Sequence, residues 1–285
     1  MKLMNCREGA AVIRGEEAVL FSEINARRGA CLPDGLLSLI QSGSLDPLLD
    51  PLKDLRDVEG LPLSSVTPCL PYPVPPKIWC IGLNYKSHAE DINAVQPEEP
   101  GSFMKPASCL FQPGGDIVLP PPGVSADVDV ECELGVIIGK RCRFVPAEHI
   151  QDVVFGYTTT LDLTALDVLA RNTRYLTRAK SIDTFFSFGP VIVTADEVAD
   201  IGSLEVVTEH NGAPWSRDFV RNMRHLPAEL VRFHSDYFTL EPGDIISTGC
   251  PKGARIKAGD IAGGRIDGVG RIQARVTQGT RVPLY

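Results

Sequence analysis

The chain has 285 residues, of which 44% are hydrophobic and 22% are charged, a composition typical of folded proteins that excludes disorder over most of the length. Its formal net charge is -8 and no run of Lys or Arg is longer than a pair, which excludes a surface that binds nucleic-acid phosphates. The 26 glycines and 23 prolines favour many turns, so we expect a strand-rich α+β protein.

Targeting segments and a disulfide framework have no support in the sequence pattern. No apolar stretch approaches the roughly 18 residues of a membrane span, and the start of the chain becomes polar before a signal-peptide core could form. The 8 cysteines include no Cys-x-x-Cys pair. We therefore expect a cytoplasmic protein with reduced, mostly buried thiols and with neither a membrane nor a nucleic acid as partner.

The first 60 or so residues contain short apolar segments and one helical pattern, but no cluster of titratable residues that converge. A proline-rich connector follows over 68–76, and its composition predicts an extended, stiff segment. We place the domain boundary there, with a small N-terminal domain over 1–70 and a catalytic domain over 71–285.

Two acidic residues alternate in the apolar strand predicted over 131–139. The period of two puts Glu131 and Glu133 on one face, about 7 Å apart along the strand. Carboxylates on one face suit a hard divalent cation such as Mg²⁺, although alternating acids also occur on the solvated face of an edge strand. Asp162 ends the next apolar strand, predicted over 155–163, so we expect the three carboxylates to converge on one cation.

Two further side chains are candidates for catalysis. Lys180 precedes an aromatic run and would supply positive charge to a developing oxyanion, whereas by position alone it is a surface lysine. His88 lies in a polar segment, and Asp91 three residues later shares its helical face, so this acid can orient the imidazole of a general base. The alternative is a solvated loop histidine.

Several ordered motifs lie between residues 75 and 277. In chain order they are Ile81-Gly-Leu-Asn84-Tyr85-x-x-His88-Ala89, Phe103-Met-Lys105-Pro106, Glu131-Cys-Glu133-Leu134-Gly, Gly156-Tyr157 to Asp162-Leu-Thr-Ala165, Ala179-Lys180-Ser181-x-Asp183, Asn211-Gly212, Leu240-x-Pro242-Gly243-Asp244 and Thr248-Gly249-x-Pro251-x-Gly253. In order and spacing they resemble the fumarylacetoacetate hydrolase family. The resemblance implies a mixed β-sandwich-like roll with a small N-terminal domain, and a homodimer.

The same resemblance implies a site and a substrate class. It implies Mg²⁺ or Mn²⁺ held by Glu131, Glu133 and Asp162, with Lys180 beside the ion. It also implies a histidine–acid dyad on a lid, with His88 as the histidine. Members of the family act on 2-oxo acids: they hydrolyse acylpyruvates, decarboxylate oxaloacetate-like acids, or isomerise oxo-dienoates from aromatic catabolism.

The chemistry of the candidate residues agrees with that class. A 2-oxo carboxylate can chelate a divalent cation, so the cation and Lys180 stabilise the enolate that forms when the neighbouring C–C bond breaks. We therefore expect a metal-dependent C–C bond hydrolase of a 2,4-dioxo acid such as an acylpyruvate or fumarylpyruvate, with water activated by His88 and Asp91. The alternatives are a decarboxylase or isomerase on the same scaffold, and a catalytically impaired member that binds metal and ligand.

The residues expected to contact the substrate depart from the family pattern. Asp91 stands where the family has Glu, and Leu166 and Leu169 stand where it has an Arg and a Gln that reach toward the substrate. Thr248 and Gly249 match the family's Thr-Gly-Thr-Pro, but Cys250 stands at its second Thr, so a thiol takes the place of a hydroxyl that can contact the substrate carboxylate. These departures favour a substrate with less negative charge or a more apolar tail, or much weakened catalysis.

Overall fold

A computed structural model describes residues 1–42, 50–91 and 94–280, with the side chain of Asp91 outside the description. The strands are β1 Lys2–Cys6, β2 Gly9–Arg14, β3 Glu17–Leu20, β4 Leu61–Pro62, β5 Ile78–Gly82, β6 Gly101–Lys105, β7 Asp116–Leu119, β8 Val128–Ile138, β9 Val154–Ala165, β10 Phe186–Thr194, β11 Glu205–His210, β12 Ala213–Phe219, β13 Ile245–Ser247, β14 Ala254–Ile256, β15 Ile261–Ile266 and β16 Gly270–Gln278. The helices are α1 Phe21–Arg28, α2 Leu36–Gln41, α3 Lys86–Asp91, α4 Ile150–Val153, α5 Leu166–Arg171, α6 Leu176–Lys180 and α7 Pro227–Tyr237. None of the helices described is long and apolar enough to cross a membrane.

The strands form two mixed sheets, which confirms the strand-rich α+β prediction. The larger has 11 strands among the described residues, in the order β4-β3-β2-β1-β10-β9-β8-β13-β5-β6, with β14 pairing on β8. The smaller has the order β12-β11-β15-β16-β7. Strands β13 and β5 pair in parallel, as do β16 and β7, and the remaining described pairs are antiparallel.

The two sheets pack face to face around the larger of two hydrophobic clusters formed by the described residues. The backbone amide of Cys132 on β8 donates to Thr208 Oγ1 on β11 at 3.2 Å, and Cys132 lies directly over Gly264 on β15. A side chain at Gly264 would collide with the Cys132 thiol, so a glycine is required at this close approach. Because alternate residues of a strand face opposite sides, the neighbours of Cys132 face away from the smaller sheet.

The N-terminal strands continue the larger sheet. Strand β1 pairs with β10 in antiparallel register, with Leu3 opposite Ile192. In the proline-rich connector, the buried Tyr72 donates its hydroxyl to Gly243 O at 2.9 Å and packs edge-on against Phe188. The connector is therefore packed against the catalytic part of the chain, and the division near residue 70 stays a prediction.

Candidate active site and metal centre

Strands β8 and β9 place the three predicted carboxylates together at the centre of the larger sheet. Glu131 is the register partner of Asp162, and Glu133 lies two residues farther along β8 on the same face. Both strands are buried along their whole length, so the alternative of an edge strand with a solvated acidic face is wrong. One carboxylate oxygen from each of the three residues lies within 4.8 Å of the other two.

This group of three carboxylates, which we call the triad, has the donor chemistry of a site for a hard divalent cation. All three ligand atoms are carboxylate oxygens, and Glu131, Glu133 and Asp162 are no more than 5% exposed. Buried carboxylates at this separation repel one another unless positive charge lies between them. The triad therefore fits Mg²⁺ or Mn²⁺, which prefer oxygen ligands.

The protonation behaviour of the two glutamates shows where positive charge is lacking. Burial, together with the negative charges of Asp162 and Glu131, raises the pKa of Glu133 to about 8. Burial alone would also raise the pKa of Glu131, but the charge and hydrogen bond of Lys180 contribute most to outweighing it, and that pKa lies below its ordinary value. The side of the triad at Glu133 is the side that lacks a compensating charge.

Lys180 is buried beside the triad, so the surface-lysine alternative is wrong. Its Nζ donates to Glu131 Oε2 at 2.8 Å and to Asp162 Oδ2 at 3.1 Å, and it lies 5.0 Å from the centre of the Phe103 ring. Burial favours the neutral amine, but the charges of the surrounding carboxylates outweigh it and raise the pKa of Lys180 well above its ordinary value. The ammonium therefore stays charged and fixes the orientation of two triad carboxylates.

A second buried lysine supports the triad and was missed in the sequence. Lys105, at the end of β6, forms an ion pair with Asp162 Oδ1 at 2.5 Å and donates to the carbonyl oxygens of Leu163 and Phe185. The signal in the sequence was a lysine within the otherwise apolar motif Phe103-Met-Lys105-Pro106, a lysine to which the sequence pattern assigned no role. Charged groups are rarely fully buried unless they are paired, so such a lysine points to a buried acid.

The end of β13 and the residues directly after it hold the Glu133 carboxylate by hydrogen bonds. The hydroxyl of Ser247 donates to Glu133 Oε2 at 2.5 Å, and the backbone amide of Gly249 donates to the same oxygen at 2.9 Å. The hydroxyl of Thr248 donates to Leu134 O, and its side chain is fully buried. Thr248 and Gly249 thus hold the scaffold of the triad, and the predicted contact of these two residues with substrate stays a prediction.

Another buried acid, Asp129, lies on β8 on the same face as Glu131 and was also missed. Burial and the neighbouring charge of Glu131 raise the pKa of Asp129 well above its ordinary value. Its Oδ1 has no hydrogen-bond partner among the described residues. The sequence signal was an alternation of acids that begins at Asp127 and includes Asp129, directly before the pair that was singled out.

His88 lies on the short helix α3 with its ring turned toward the triad, so the alternative of a solvated histidine is wrong. Its Nε2 is 3.6 Å from Glu131 Oε1, and its side chain is 14% exposed. Within the described part of the chain, His88 Nδ1 is buried and has no hydrogen-bond partner. Asp91 ends the same helix, but its side chain lies outside the described atoms, so the dyad stays a prediction.

One cavity of about 380 Å³ joins these residues to an apolar wall. Glu131, Glu133, Lys180 and His88 lie at its polar end. The remaining described lining is mostly apolar and includes Ile81, Leu83, Ala94, Pro97, Phe103, Leu166, Leu169, Leu176 and Cys250, together with the hydroxyl-bearing residues Ser102, Thr164 and Thr173. The predicted substrate-binding residues Leu166, Leu169 and Cys250 therefore do line the cavity.

A search against protein-family profiles matches residues 77–277 to the family described as fumarylacetoacetate (FAA) hydrolase C-terminal. A mitochondrial oxaloacetate tautomerase of Bos taurus is 39% identical over 197 residues, which cover 69% of this chain and 62% of the relative.

Two solved structures are similar over nearly the whole chain. A maleylpyruvate hydrolase from Sphingobium sp. SYK-6, in complex with manganese(II) and pyruvate, has a TM-score of 0.80 at 32% identity and covers 98% of this chain and 100% of the other. A 5-carboxymethyl-2-hydroxymuconate delta-isomerase from Mycobacterium smegmatis has a TM-score of 0.75 at 28% identity, covering 99% and 100%. The similar proteins thus include a hydrolase, an isomerase and a tautomerase.

Proposed function

The chain belongs to the fumarylacetoacetate hydrolase family, and from that premise we propose that it is a divalent-metal-dependent hydrolase of a 2,4-dioxo acid with an apolar tail. The observation that carries the proposal is a single cavity with buried carboxylates, a charged lysine and a histidine at one end and an apolar wall at the other. The reaction adds water to an acylpyruvate and releases pyruvate and a carboxylic acid.

The triad residues Glu131, Glu133 and Asp162 would hold the cation. When bound, Mg²⁺ or Mn²⁺ supplies Lewis-acid polarisation of the substrate oxygens. The relative from Sphingobium contains manganese and pyruvate, which supports both the ion and the product.

Lys180 supplies the positive charge that persists through the reaction. Breaking the bond between C3 and C4 leaves the electron pair on the pyruvate fragment, whose negative charge is shared with the C2 oxygen. A buried ammonium near that oxygen stabilises the charge more strongly than water does, because it is already oriented and needs no rearrangement. Its bonds to Glu131 and Asp162 keep the Nζ in place.

His88 is the proposed general base. It lines the cavity beside Glu131, at the polar end where a water molecule would meet the C4 carbonyl. Removing a proton from that water makes it a nucleophile, a contribution typically worth about 10²–10⁴ in rate. Asp91 is proposed to orient the ring, as its spacing from His88 predicts.

The apolar wall indicates the substrate tail. Among the described lining residues the charged side chains are Glu131, Glu133 and Lys180, with His88 beside them, and all belong to the polar end. A second carboxylate at the far end would lose its hydration without gaining a cation. We therefore propose a substrate with one carboxylate and an uncharged tail, unlike maleylpyruvate or oxaloacetate, which carry two.

A keto–enol isomerase is the second candidate, and a decarboxylase of oxaloacetate-like acids is closely related to it. The 39% identity to an oxaloacetate tautomerase favours it. Moving a proton at C3 needs one base and a stabilised enolate, without an activated water. The same Lys180 charge serves either reaction.

The purified protein with Mg²⁺ or Mn²⁺ should be mixed with 2,4-dioxo acids whose neutral tails grow from one to six carbons, and pyruvate release should be followed. We expect one pyruvate per substrate and a kcat/KM that rises about fourfold per methylene until the cavity is full. Interconversion of keto and enol forms without pyruvate would establish the isomerase, and CO₂ release from oxaloacetate the decarboxylase. Ion binding with no turnover of any 2-oxo acid would favour the impaired member.

A further inference from the structure

A second group of potential metal ligands shares one residue with the triad. His88, Glu131 and Cys250 each present a ligand atom, and these three atoms lie within 4.8 Å of one another. We call this group the thiol cluster. It differs from the triad in its donors, since it offers one imidazole nitrogen, one carboxylate oxygen and one sulfur in place of three oxygens.

We propose that the thiol cluster binds a borderline-soft cation of the Zn²⁺ type and that this ion inhibits the enzyme. Cys, His and Glu are all ordinary zinc ligands, and three protein ligands with one open position are common for exchangeable zinc. Mg²⁺ and Mn²⁺ do not favour sulfur, so the thiol cluster discriminates against them by ligand type.

The positions of the three side chains support an open site. All three line the same cavity, so a fourth ligand position faces the space that the substrate would fill. Cys250 is 3% exposed, which places its sulfur inside the wall and away from bulk water. The buried Cys250 thiol is thereby placed next to an imidazole and a carboxylate.

The sharing of Glu131 links the two clusters. Its Oε2 accepts from Lys180, whereas its Oε1 faces His88 Nε2 at 3.6 Å. An ion in the thiol cluster would bind the imidazole nitrogen with which His88 accepts a proton in the proposed reaction. It would also bind a carboxylate oxygen of Glu131. When Zn²⁺ binds, the Cys250 thiol releases its proton to solvent and its sulfur becomes a thiolate ligand.

Binding of Zn²⁺ to the thiol cluster does not depend on the proposed reaction, whereas inhibition by Zn²⁺ rests on the proposed hydrolase. The first measurement is therefore spectroscopic, with Co²⁺ as a probe for Zn²⁺ and Mg²⁺ present to fill the triad. We expect a near-ultraviolet charge-transfer band from thiolate to Co²⁺ that Zn²⁺ removes by displacement. Co²⁺ binding with no such band would overturn the proposal, because it would place the ion on oxygen ligands alone.

Variants of two cysteines test whether the sulfur that binds the ion is that of Cys250. Cys250→Thr should abolish the band and weaken Zn²⁺ affinity at least about a hundredfold, with Mg²⁺ affinity retained as evidence that the protein is folded. Cys31→Ser is the matched control, since Cys31 is an exposed thiol outside both clusters, and it should keep the band. A band that persists in Cys250→Thr and disappears in Cys31→Ser would refute the assignment.

His88→Ala tests the second ligand without altering the buried wall. It should weaken Zn²⁺ affinity at least about tenfold while Mg²⁺ affinity is unchanged, because the triad does not include His88. Where turnover is present, Zn²⁺ should inhibit the wild type and the Cys31→Ser variant but not Cys250→Thr at the same concentration. Equal inhibition of all three would disprove the inhibitory site, whereas a thiolate band without turnover would leave the site intact and reject only the proposed hydrolase.

Discussion

The carboxylates at the polar end of the cavity and the leucines of its apolar wall come from different kinds of structure. Glu131 and Asp162 come from neighbouring strands that pair over nearly their whole length in the middle of a sheet, where side chains are buried. Leu166 and Leu169 come from the short helix α5, and both are half-buried. A ladder of hydrogen bonds between β8 and β9 therefore fixes the carboxylates relative to one another. Lys180 and His88 reach them from the short helices α6 and α3, as the two leucines reach the cavity from α5.

The largest loss of activity is expected for Glu131→Ala, at the polar end of the cavity. Because Glu131 belongs to the triad and accepts from Lys180, we expect kcat/KM to fall about a thousandfold for every tail length, together with loss of stabilisation by Mg²⁺. Glu98→Ala, which removes an exposed acid, is the control. A variant that keeps turnover within tenfold of wild type would remove the triad from the mechanism.

The next effect in size is that of His88→Ala. Hydrolysis should fall about 10²–10⁴-fold while Mg²⁺ affinity stays the same, because the base is lost and the triad is intact. His149→Ala, at an exposed histidine paired with Asp152, should behave like wild type. Full hydrolysis in His88→Ala would assign the proton transfer to another group.

Mg²⁺ affinity should depend on pH. Glu133, with a pKa of about 8, is mostly protonated at pH 6 and must lose that proton to bind the ion, so affinity should rise up to about tenfold per pH unit from pH 6 to 8 and then level off. Since the folded-state pKa is raised, the ion-free protein loses stability as pH rises from about 4.5 to 8. The gain in Tm from Mg²⁺ should therefore be larger at pH 8 than at pH 6. An equal gain at both pH values would contradict the assignment of Glu133 as a ligand of the ion.

At the apolar end, Leu176→Ala should act on the tail alone. Removing this part of the wall is expected to lower kcat/KM about tenfold for the longest neutral tail, with a much smaller effect on the one-carbon tail. Leu226→Ala, at an exposed leucine outside the cavity lining, is the control. An equal loss for all tails would show that Leu176 acts through the polar end.

The smallest expected effect is that of Asp91→Glu. If the shorter side chain places the water poorly, the added methylene should raise hydrolysis of acylpyruvates a fewfold, about 2–5-fold. Asp91→Asn, which keeps the length and removes the charge, should lower it. No change with either variant would exclude Asp91 from the dyad.

Much of the polar end of the cavity was predictable because the two-residue repeat of a β-strand decides which side chains share a face. Strand alternation puts Glu131 and Glu133 on one face whatever the rest of the fold does. Asp162 could be expected nearby from its place at the end of the following strand. The predictions for 131–139 and 155–163 also found the two central strands. Strand β8, Val128–Ile138, begins three residues earlier and ends one residue earlier than predicted, and β9, Val154–Ala165, extends beyond the prediction at both ends.

What the pattern could not show was which charged groups are buried. Lys180 has polar neighbours in sequence and reads as a surface residue, yet the packing of α6 over β9 places its ammonium between two carboxylates. Lys105 and Ser247 were missed for the same reason, since each meets its carboxylate across a sequence separation of more than 50 residues.

The amino-acid sequence was sufficient for the family, the strand-rich fold and the identity of the triad, because ordered motifs and strand alternation are local properties of the chain. The register of β8 against β9 was not readable from it, and that register is what makes Glu131 the partner of Asp162. Likewise, only the packed structure joins His88, Cys250 and the leucines of α5 in one cavity. Distances between residues remote in sequence follow from how sheets and helices pack, which no local pattern encodes.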